Sequence, residues 1–238
     1  MVKRHLVTRP AVDQEPFVSE LKDMGREILL SPVFDIEFFE GKALNFSNVQ
    51  AILITSANGV RALCHKTNNL KIPIYCVGDS SAQAARQAGF EQVVSANGDV
   101  SDLAERVISD LSPNGGTLLH PAASKLAGDL GGILEAGGFS YQREILYEAK
   151  AIEQLSADVI SQIKSNEINE ISFFSPRSSK IFSRLLKQAE LERKLKSCKA
   201  YCLSPAVAKY LEQITGLEIA VSEQPTRQSL LKLIATYK

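Results

Sequence analysis

Short segments rich in hydroxyl and basic side chains recur where apolar, strand-like runs end. They are Thr8-Arg9, Thr55-Ser56-Ala57-Asn58, Gly78-Asp79-Ser80-Ser81, Ser175-Pro176-Arg177-Ser178-Ser179 and Ser204-Pro205. Each is followed by a predicted helix, whose first N–H groups and dipole favour an anion. Ordinary N-capping explains any single segment equally well, since Ser, Thr, Asn and Asp cap helices in all protein classes. Five such segments facing one cleft would instead predict a site for a small acidic ligand.

Motifs for other chemistries are missing from the chain. No glycine-rich nucleotide-binding loop, serine-nucleophile elbow or zinc-binding His-Glu-x-x-His occurs. The four cysteines, Cys64, Cys76, Cys198 and Cys202, include no Cys-x-x-Cys pair, and the three histidines lack metal-ligand spacing. Basic and acidic residues balance at 27 each and tryptophan is absent, which disfavours nucleic acid as a partner. We expect packed thiols, no metal and no cofactor.

Apolar strand-like runs alternate with amphipathic helical stretches along the whole chain. This alternation predicts parallel sheets built from β-α-β crossover units, and therefore an α/β fold. Predicted strands cover 2–7, 28–30, 49–55, 72–77 and 92–95, and predicted helices cover 10–25, 80–88 and 103–111. The length of 238 residues is enough for two small α/β units or for one large one.

The pattern repeats in order within the chain, which predicts an internal duplication. The corresponding pairs of segments are 6–34 with 118–147, 54–58 with 173–177, 75–79 with 201–205, and 94–95 with 221–222. The alternative is that any α/β chain aligns with itself in this way. With a duplication, we expect the ligand in the cleft between the two halves. The extended segments 34–39 and 143–148 would then run as paired connectors.

The N-terminal residues turn polar at Thr8, so they contain no signal-peptide core. No apolar run is long enough to span a membrane. A cytoplasmic location and no membrane partner are therefore expected. We also expect a monomer.

Seven motifs in fixed order make the chain similar to the uroporphyrinogen-III synthase family over essentially its whole length. They are 7–10 (VTRP), 29–32 (LLSP), 54–60 (ITSANGV), 75–82 (YCVGDSSA), 145–149 (ILYEA), 173–176 (FFSP) and 201–205 (YCLSP). The resemblance implies a cofactor-free lyase that converts the linear polycarboxylate hydroxymethylbilane to uroporphyrinogen III. It also implies two flavodoxin-like parallel-sheet domains, 1–34 with 150–238 and 37–145, joined by a two-stranded connector of residues 35–36 and 146–149.

The resemblance implies a catalytic role for Tyr147, which would assist departure of the substrate hydroxyl. The alternative is that Tyr147 is an aromatic residue of the connector that packs at the domain junction. The repeat partner of Tyr147 is Phe34, which lacks the hydroxyl. The expected substrate-binding residues are Thr8, Arg9, Ser56, Ala57, Asn58, Ser80, Ser81, Ser175, Arg177, Ser178 and Ser204.

The chain departs from the family pattern at two places. Ala206 and Val207 stand where the family has threonines, so those hydroxyl contacts are lost. His120 occupies the position of a family arginine, for which Lys125, or more remotely Arg143, would compensate. A two-lobed anion-binding module without catalysis and a degenerate synthase relative therefore remain alternatives.

Overall fold

A computed structural model of the chain describes residues 2–40, 43–126 and 128–237. The chain divides into two compact units, each described here by itself. The first unit combines Met1–Asp35 with Lys150–Lys238, and the second unit is Ile36–Ala149. The chain therefore leaves the first unit after its second strand and returns to it later.

The described residues form eleven strands and nine helices, with three short 3-10 turns. The strands are β1 (Arg4–Val7), β2 (Glu27–Leu30), β3 (Phe34–Phe38), β4 (Val49–Ile54), β5 (Ile74–Cys76), β6 (Val93–Ser95), β7 (Thr117–Ala123), β8 (Ser140–Ala151), β9 (Glu170–Phe173), β10 (Lys199–Cys202) and β11 (Glu218–Val221). The helices are α1 (Phe17–Asp23), α2 (Ala57–Cys64), α3 (Asp79–Gln87), α4 (Val100–Asp110), α5 (Leu130–Ala136), α6 (Ala157–Lys164), α7 (Pro176–Gln188), α8 (Pro205–Ala208) and α9 (Arg227–Thr236). Within these ranges, no helix is both long and apolar enough to cross a bilayer.

The first unit contains a five-stranded sheet in the order β11-β10-β9-β1-β2, with every pairing parallel. Two apolar clusters cover its two faces, one centred on Phe173 and Phe182 and the other on Phe17 and Tyr201. The central strands are apolar because crossover helices bury a parallel sheet on both faces. Within α7, Phe182 and Leu186 lie four residues apart and face the sheet together.

The second unit contains a six-stranded sheet in the order β3-β8-β7-β4-β5-β6. Strand β4 pairs with β5 and β7, β5 with β6, and β7 with β8, all in parallel. The first sheet has the flavodoxin-like strand order. The second sheet, without β3, has the same order if β7 and β8 are matched with β1 and β2, and β4, β5 and β6 with β9, β10 and β11. The α/β class with two mainly parallel sheets is thus confirmed, whereas the duplication stays a prediction.

The bounds of several elements differ from the expected ones. The helix predicted over 10–25 is a 3-10 turn, Ala11–Asp13, followed by α1, because Pro16 sits between them and lacks the N–H that a continuous helix needs. Residues 146–149, expected as one strand of the two-stranded connector, lie within the longer strand β8. Residues 35–36 likewise lie inside β3.

A buried ionic cluster lies at the amino ends of the strands of the first unit. The Glu170 carboxylate is 2% exposed and accepts hydrogen bonds from Arg26 Nε at 3.1 Å and from His5 Nδ1 at 3.1 Å. Burial alone would raise the pKa of Glu170, but its bonds to His5 and Arg26 outweigh burial and lower the pKa to about 2. Burial lowers the pKa of His5, so we assign a neutral imidazole donating to an ionised Glu170.

Candidate functional site

The turn between β4 and α2 carries three of the predicted binding residues, Ser56, Ala57 and Asn58. Ser56 is the N-cap of α2, and its Oγ accepts a hydrogen bond from the Asn58 N–H at 3.1 Å. Its carbonyl oxygen accepts from the Gly59 N–H at 2.9 Å. Local capping therefore uses part of the donor capacity of this turn, as the alternative interpretation of the segment expected.

Gly59 allows α2 to approach β7 closely. A Cβ added to this buried glycine would lie 2.9 Å from the Pro121 carbonyl oxygen, a backbone atom that cannot easily move away. Only glycine fits without a shift of the helix or the strand. The close approach holds the first turn of α2, with its capping Ser56, against β7.

Tyr147 lies in β8, opposite Ala123 of β7, and its hydroxyl is 3.0 Å from Ser56 Oγ. Its ring is 4% exposed and packs with Ala62 and Phe38. Burial raises the pKa of Tyr147 and the Ser56 hydrogen bond partly opposes this, so the phenol is protonated at neutral pH. Tyr147 is thus both a packed aromatic residue and a proton-bearing group at the start of α2.

The carboxyl ends of β7 and β8 are tied together by side chains. Arg143 Nη2 donates to the carbonyl oxygens of Ala123 at 2.7 Å and Ser124 at 2.8 Å. The Ser124 N–H donates to the Tyr147 carbonyl oxygen at 3.0 Å, and its hydroxyl donates to Glu148 Oε1 at 3.1 Å. Arg143 therefore holds the backbone beside Tyr147 in place. In the sequence analysis it was considered only as a substitute for the family arginine that His120 replaces.

A buried hydrogen-bond chain that the sequence analysis missed runs from Tyr141 through His120 to Thr55. His120 is 1% exposed, with Nδ1 2.6 Å from the Tyr141 hydroxyl and Nε2 3.0 Å from Thr55 Oγ1. Burial, together with the positive charge of Arg143, lowers the pKa of His120 to about 4. The sequence features that could have indicated this contact were His120 within a buried strand and the hydroxyl of Thr55 directly after the neighbouring strand.

Ser80 and Ser81 lie in the first turn of α3, which follows β5, the neighbour of β4. The N-cap of α3 is Gly78, which offers no capping side chain. Ser80 is exposed, whereas Ser81 is 6% exposed. Ser80 is therefore the better placed of the two to meet a ligand.

In the first unit, Ser175, Arg177 and Ser178 share the first turn of α7, which follows β9. Ser175 is the N-cap, and its Oγ lies 3.1 Å from the Ser178 N–H and 2.7 Å from the Ser178 hydroxyl. The Arg177 guanidinium lies over the Phe34 ring, 5.2 Å from its centroid. This turn has the same construction as the Ser56 turn of the second unit, with arginine in place of Asn58.

Thr8, Arg9 and Ser204 follow β1 and β10, on either side of β9. Thr8 is fully buried and its hydroxyl donates to the Ser172 carbonyl oxygen at 2.8 Å, which favours a structural role for this side chain. The Arg9 guanidinium lies 4.1 Å from the centroid of the Phe174 ring. Ser204 is the half-buried N-cap of α8, and its side chain makes no capping hydrogen bond.

The substituted positions of the family pattern have different surroundings. Val207 is 1% exposed and belongs to the apolar core of the first unit, whereas Ala206 is exposed. Lys125 is also exposed. Val207 therefore contributes to packing. Only at Ala206 does the chain lack a hydroxyl on the surface of this turn.

No group of three His, Cys, Asp or Glu side chains positioned to hold a metal occurs in the described ranges. All four cysteines are free thiols, and burial raises the pKa of Cys76, Cys198 and Cys202 to about 12. These three thiols therefore stay protonated and poorly nucleophilic at neutral pH.

Comparison with known proteins gives a consistent family. A family model described as uroporphyrinogen-III synthase HemD matches residues 15–232. The uroporphyrinogen-III synthetase structure from Helicobacter pylori 26695 is similar with a TM-score of 0.67 and 16% identity, covering 100% of both chains. A mutant uroporphyrinogen III synthase from the extremely thermophilic bacterium Thermus thermophilus has a TM-score of 0.54 and 17% identity, covering 99% of this chain and 98% of its own. At these identities the two structures bear on the fold alone. Among curated protein sequences, none matches significantly.

Proposed function

Since the chain belongs to the uroporphyrinogen-III synthase family, we propose that it is a lyase that converts hydroxymethylbilane to uroporphyrinogen III. The reaction removes water from the linear tetrapyrrole and closes the ring with inversion of ring D. The observation that carries a catalytic role within this chain is the contact between the Tyr147 hydroxyl and Ser56 at the start of α2. Proposed with it are a cytoplasmic location and a monomeric state.

The proposed first step is departure of the substrate hydroxyl. The C–O bond breaks, the oxygen leaves as water with the proton of the Tyr147 phenol, and the carbon becomes a pyrrole-stabilised cation. The hydrogen bond between Tyr147 and Ser56, together with the positive end of α2, would stabilise the phenolate left behind. Attack by the substituted carbon of ring D then gives the spiro intermediate implied by the family, and the phenolate recovers a proton before the next turnover.

The proposed binding groups for the substrate carboxylates are the first turns of the helices that follow the strands. In the second unit they include Ser56, Ala57, Asn58, Ser80 and Ser81. In the first unit they include Arg9, Ser175, Arg177, Ser178 and Ser204, with Thr8 acting through its packing. Helix N-termini and hydroxyls bind carboxylates without a net positive charge, in keeping with the balance of 27 basic and 27 acidic residues. The positioning of a flexible substrate would supply much of the rate acceleration.

The test is an isomer assay with freshly prepared hydroxymethylbilane. The products are oxidised and separated, and the type III isomer is measured against the spontaneous type I product. Type III well above the background formed without protein is the expected result. Type I alone, from protein that binds the substrate, would support the non-catalytic anion-binding module instead.

A further inference from the structure

We propose that Thr55 donates a hydrogen bond to a carboxylate of the bound tetrapyrrole, and that buried His120 is the positioning residue that orients this hydroxyl. The inference rests on the proposed function, because it names a further binding residue for the same substrate. Its basis is the chain Tyr141–His120–Thr55, which ends at the half-buried Thr55 between β4 and the capping serine of α2.

The imidazole of His120 is neutral under ordinary conditions. It is 1% exposed, Arg143 is its partner across the β7–β8 pairing, and its pKa is about 4. A neutral imidazole has one N–H, so one ring nitrogen donates while the other accepts. The two hydrogen bonds of His120 are therefore coupled, and the direction of one sets the direction of the other.

The direction of the hydrogen bonds that link Tyr141, His120 and Thr55 follows from the acidity of the two hydroxyls. The Tyr141 phenol is a stronger donor than the aliphatic hydroxyl of Thr55, and it makes the shorter contact, 2.6 Å against 3.0 Å. Tyr141 therefore donates to Nδ1, and the Nε2–H of His120 donates to Thr55 Oγ1. Thr55 Oγ1 is then an acceptor toward His120, and its own proton points away, available to a carboxylate.

The arrangement is particular to the second unit. The corresponding strand ends of the first unit carry Thr8, whose hydroxyl is fully buried against the Ser172 carbonyl, and the aromatic Phe174. The first unit therefore has no equivalent of the His120–Thr55 pair at these two positions. Because Thr55 is next to Ser56, the bound carboxylate would lie beside the Tyr147 hydroxyl, and it would orient the reacting end of the substrate.

The experiment measures binding of uroporphyrinogen III, kept reduced, by titration calorimetry, alongside the kinetics with hydroxymethylbilane. Thr55→Val keeps the shape of the side chain and should raise Kd and KM about tenfold, the loss expected for one hydrogen bond to a charged group. Thr55→Ser should stay close to the wild type. Thr117→Val is the matched control and should bind normally, because Thr117 lies at the amino end of β7, away from the carboxyl ends of the strands.

A double-mutant cycle separates positioning from a general structural effect. If His120 acts through Thr55, His120→Leu should raise Kd several-fold in the wild-type background and have little effect in Thr55→Val. His120→Gln, which places an amide near the Nε2 position, should recover part of the affinity. An unchanged Kd for Thr55→Val, or purely additive effects in the cycle, would overturn the inference.

Calorimetry keeps this inference separate from the proposed function. Protein that binds uroporphyrinogen III but forms only type I product would refute the proposed reaction, while the Kd values still decide the role of Thr55. Protein that neither binds nor cyclises would refute both. If His120→Leu fails to fold, the comparison of Thr55→Val with Thr55→Ser decides alone.

Discussion

The replacement Tyr147→Phe removes one oxygen atom from the centre of the proposed site and leaves the ring in place. The ring is 4% exposed and packs with Ala62 and Phe38, contacts that phenylalanine retains. The lost interaction is the 3.0 Å contact with Ser56 Oγ. Ser56 keeps its hydrogen bond from the Asn58 N–H at 3.1 Å, so α2 remains capped.

The two possible roles of Tyr147 predict changes of very different size. Loss of one hydrogen bond between neutral groups lowers the free energy of unfolding by about 1 kcal/mol. Loss of a general acid lowers the rate by a factor of ~10² to 10⁴. Because the cation formed from the substrate is resonance-stabilised, we expect the lower end, about 10²-fold in kcat, which corresponds to about 2.7 kcal/mol of barrier.

The assay measures the rate of type III isomer formation, together with urea unfolding of the same preparations. Tyr75→Phe is the matched control, since Tyr75 is 6% exposed in β5 of the same unit and its phenol interacts with the Asp110 carboxylate. Tyr75→Phe should lose at least as much stability as Tyr147→Phe, because its phenol interacts with a charged group. Only Tyr147→Phe should lose kcat and yield a larger share of the spontaneous type I isomer.

Equal kcat values for Tyr147→Phe and Tyr75→Phe would refute the acid role and leave Tyr147 as a packing residue. A loss of kcat accompanied by several kcal/mol of destabilisation would also contradict the reasoning. In that case the hydroxyl would be holding the fold rather than supplying a proton.

Two further predictions concern stability. Glu170→Gln should lower the free energy of unfolding at neutral pH by about 3 kcal/mol in urea titrations, because Arg26 would keep a buried charge without its carboxylate. The pKa of Glu170 is about 2 in the folded protein, below its ordinary value of 4.5. The stabilisation from the ionised carboxylate is therefore complete above pH 4.5 and is lost as the pH falls toward 2. A difference in stability between the variant and the wild type that stayed constant into acid would contradict this prediction. Gly59→Ala should cost about 1–3 kcal/mol through its clash with Pro121 and also lower kcat, since α2 carries the N-cap serine of the proposed site. Gly78→Ala, where an added Cβ meets nothing within 4 Å, is its control for stability, and equal melting temperatures would contradict the packing argument.

The sequence predicted the features that depend on local pattern. The runs in β4 and β5 are buried on both faces, and such runs predict parallel strands covered by helices. Ser56 and Ser175 were expected at helix starts, and both are N-caps with side-chain hydrogen bonds. Local chemistry determines these features, because the capping hydroxyl and the N–H groups it meets are two or three residues apart.

The sequence could not predict contacts that depend on strand order and register. Thr55, His120 and Tyr141 come from three segments of the chain and meet because β7 lies between β4 and β8. Thr55 and His120 were singled out separately from the sequence, but the spacing of the three residues carries no helical or strand period, so nothing in the sequence predicted that they are in contact. The same reason applies to Arg143, whose bonds to Ala123 and Ser124 depend on the pairing of β7 with β8.

The two capping turns differ in a way that favours the second unit for the proposed proton transfer. Each follows a central strand and begins a helix with a serine N-cap. Beside Ser56 lies the Tyr147 hydroxyl, whereas in the first unit the aromatic partner is Phe34, with the Arg177 guanidinium 5.2 Å from its ring centroid. The same structural frame thus presents a proton donor in one unit and a cation in the other. A chemical step that needs a proton and a substrate that carries carboxylates would use these two turns differently, the second for departure of the hydroxyl and the first for binding.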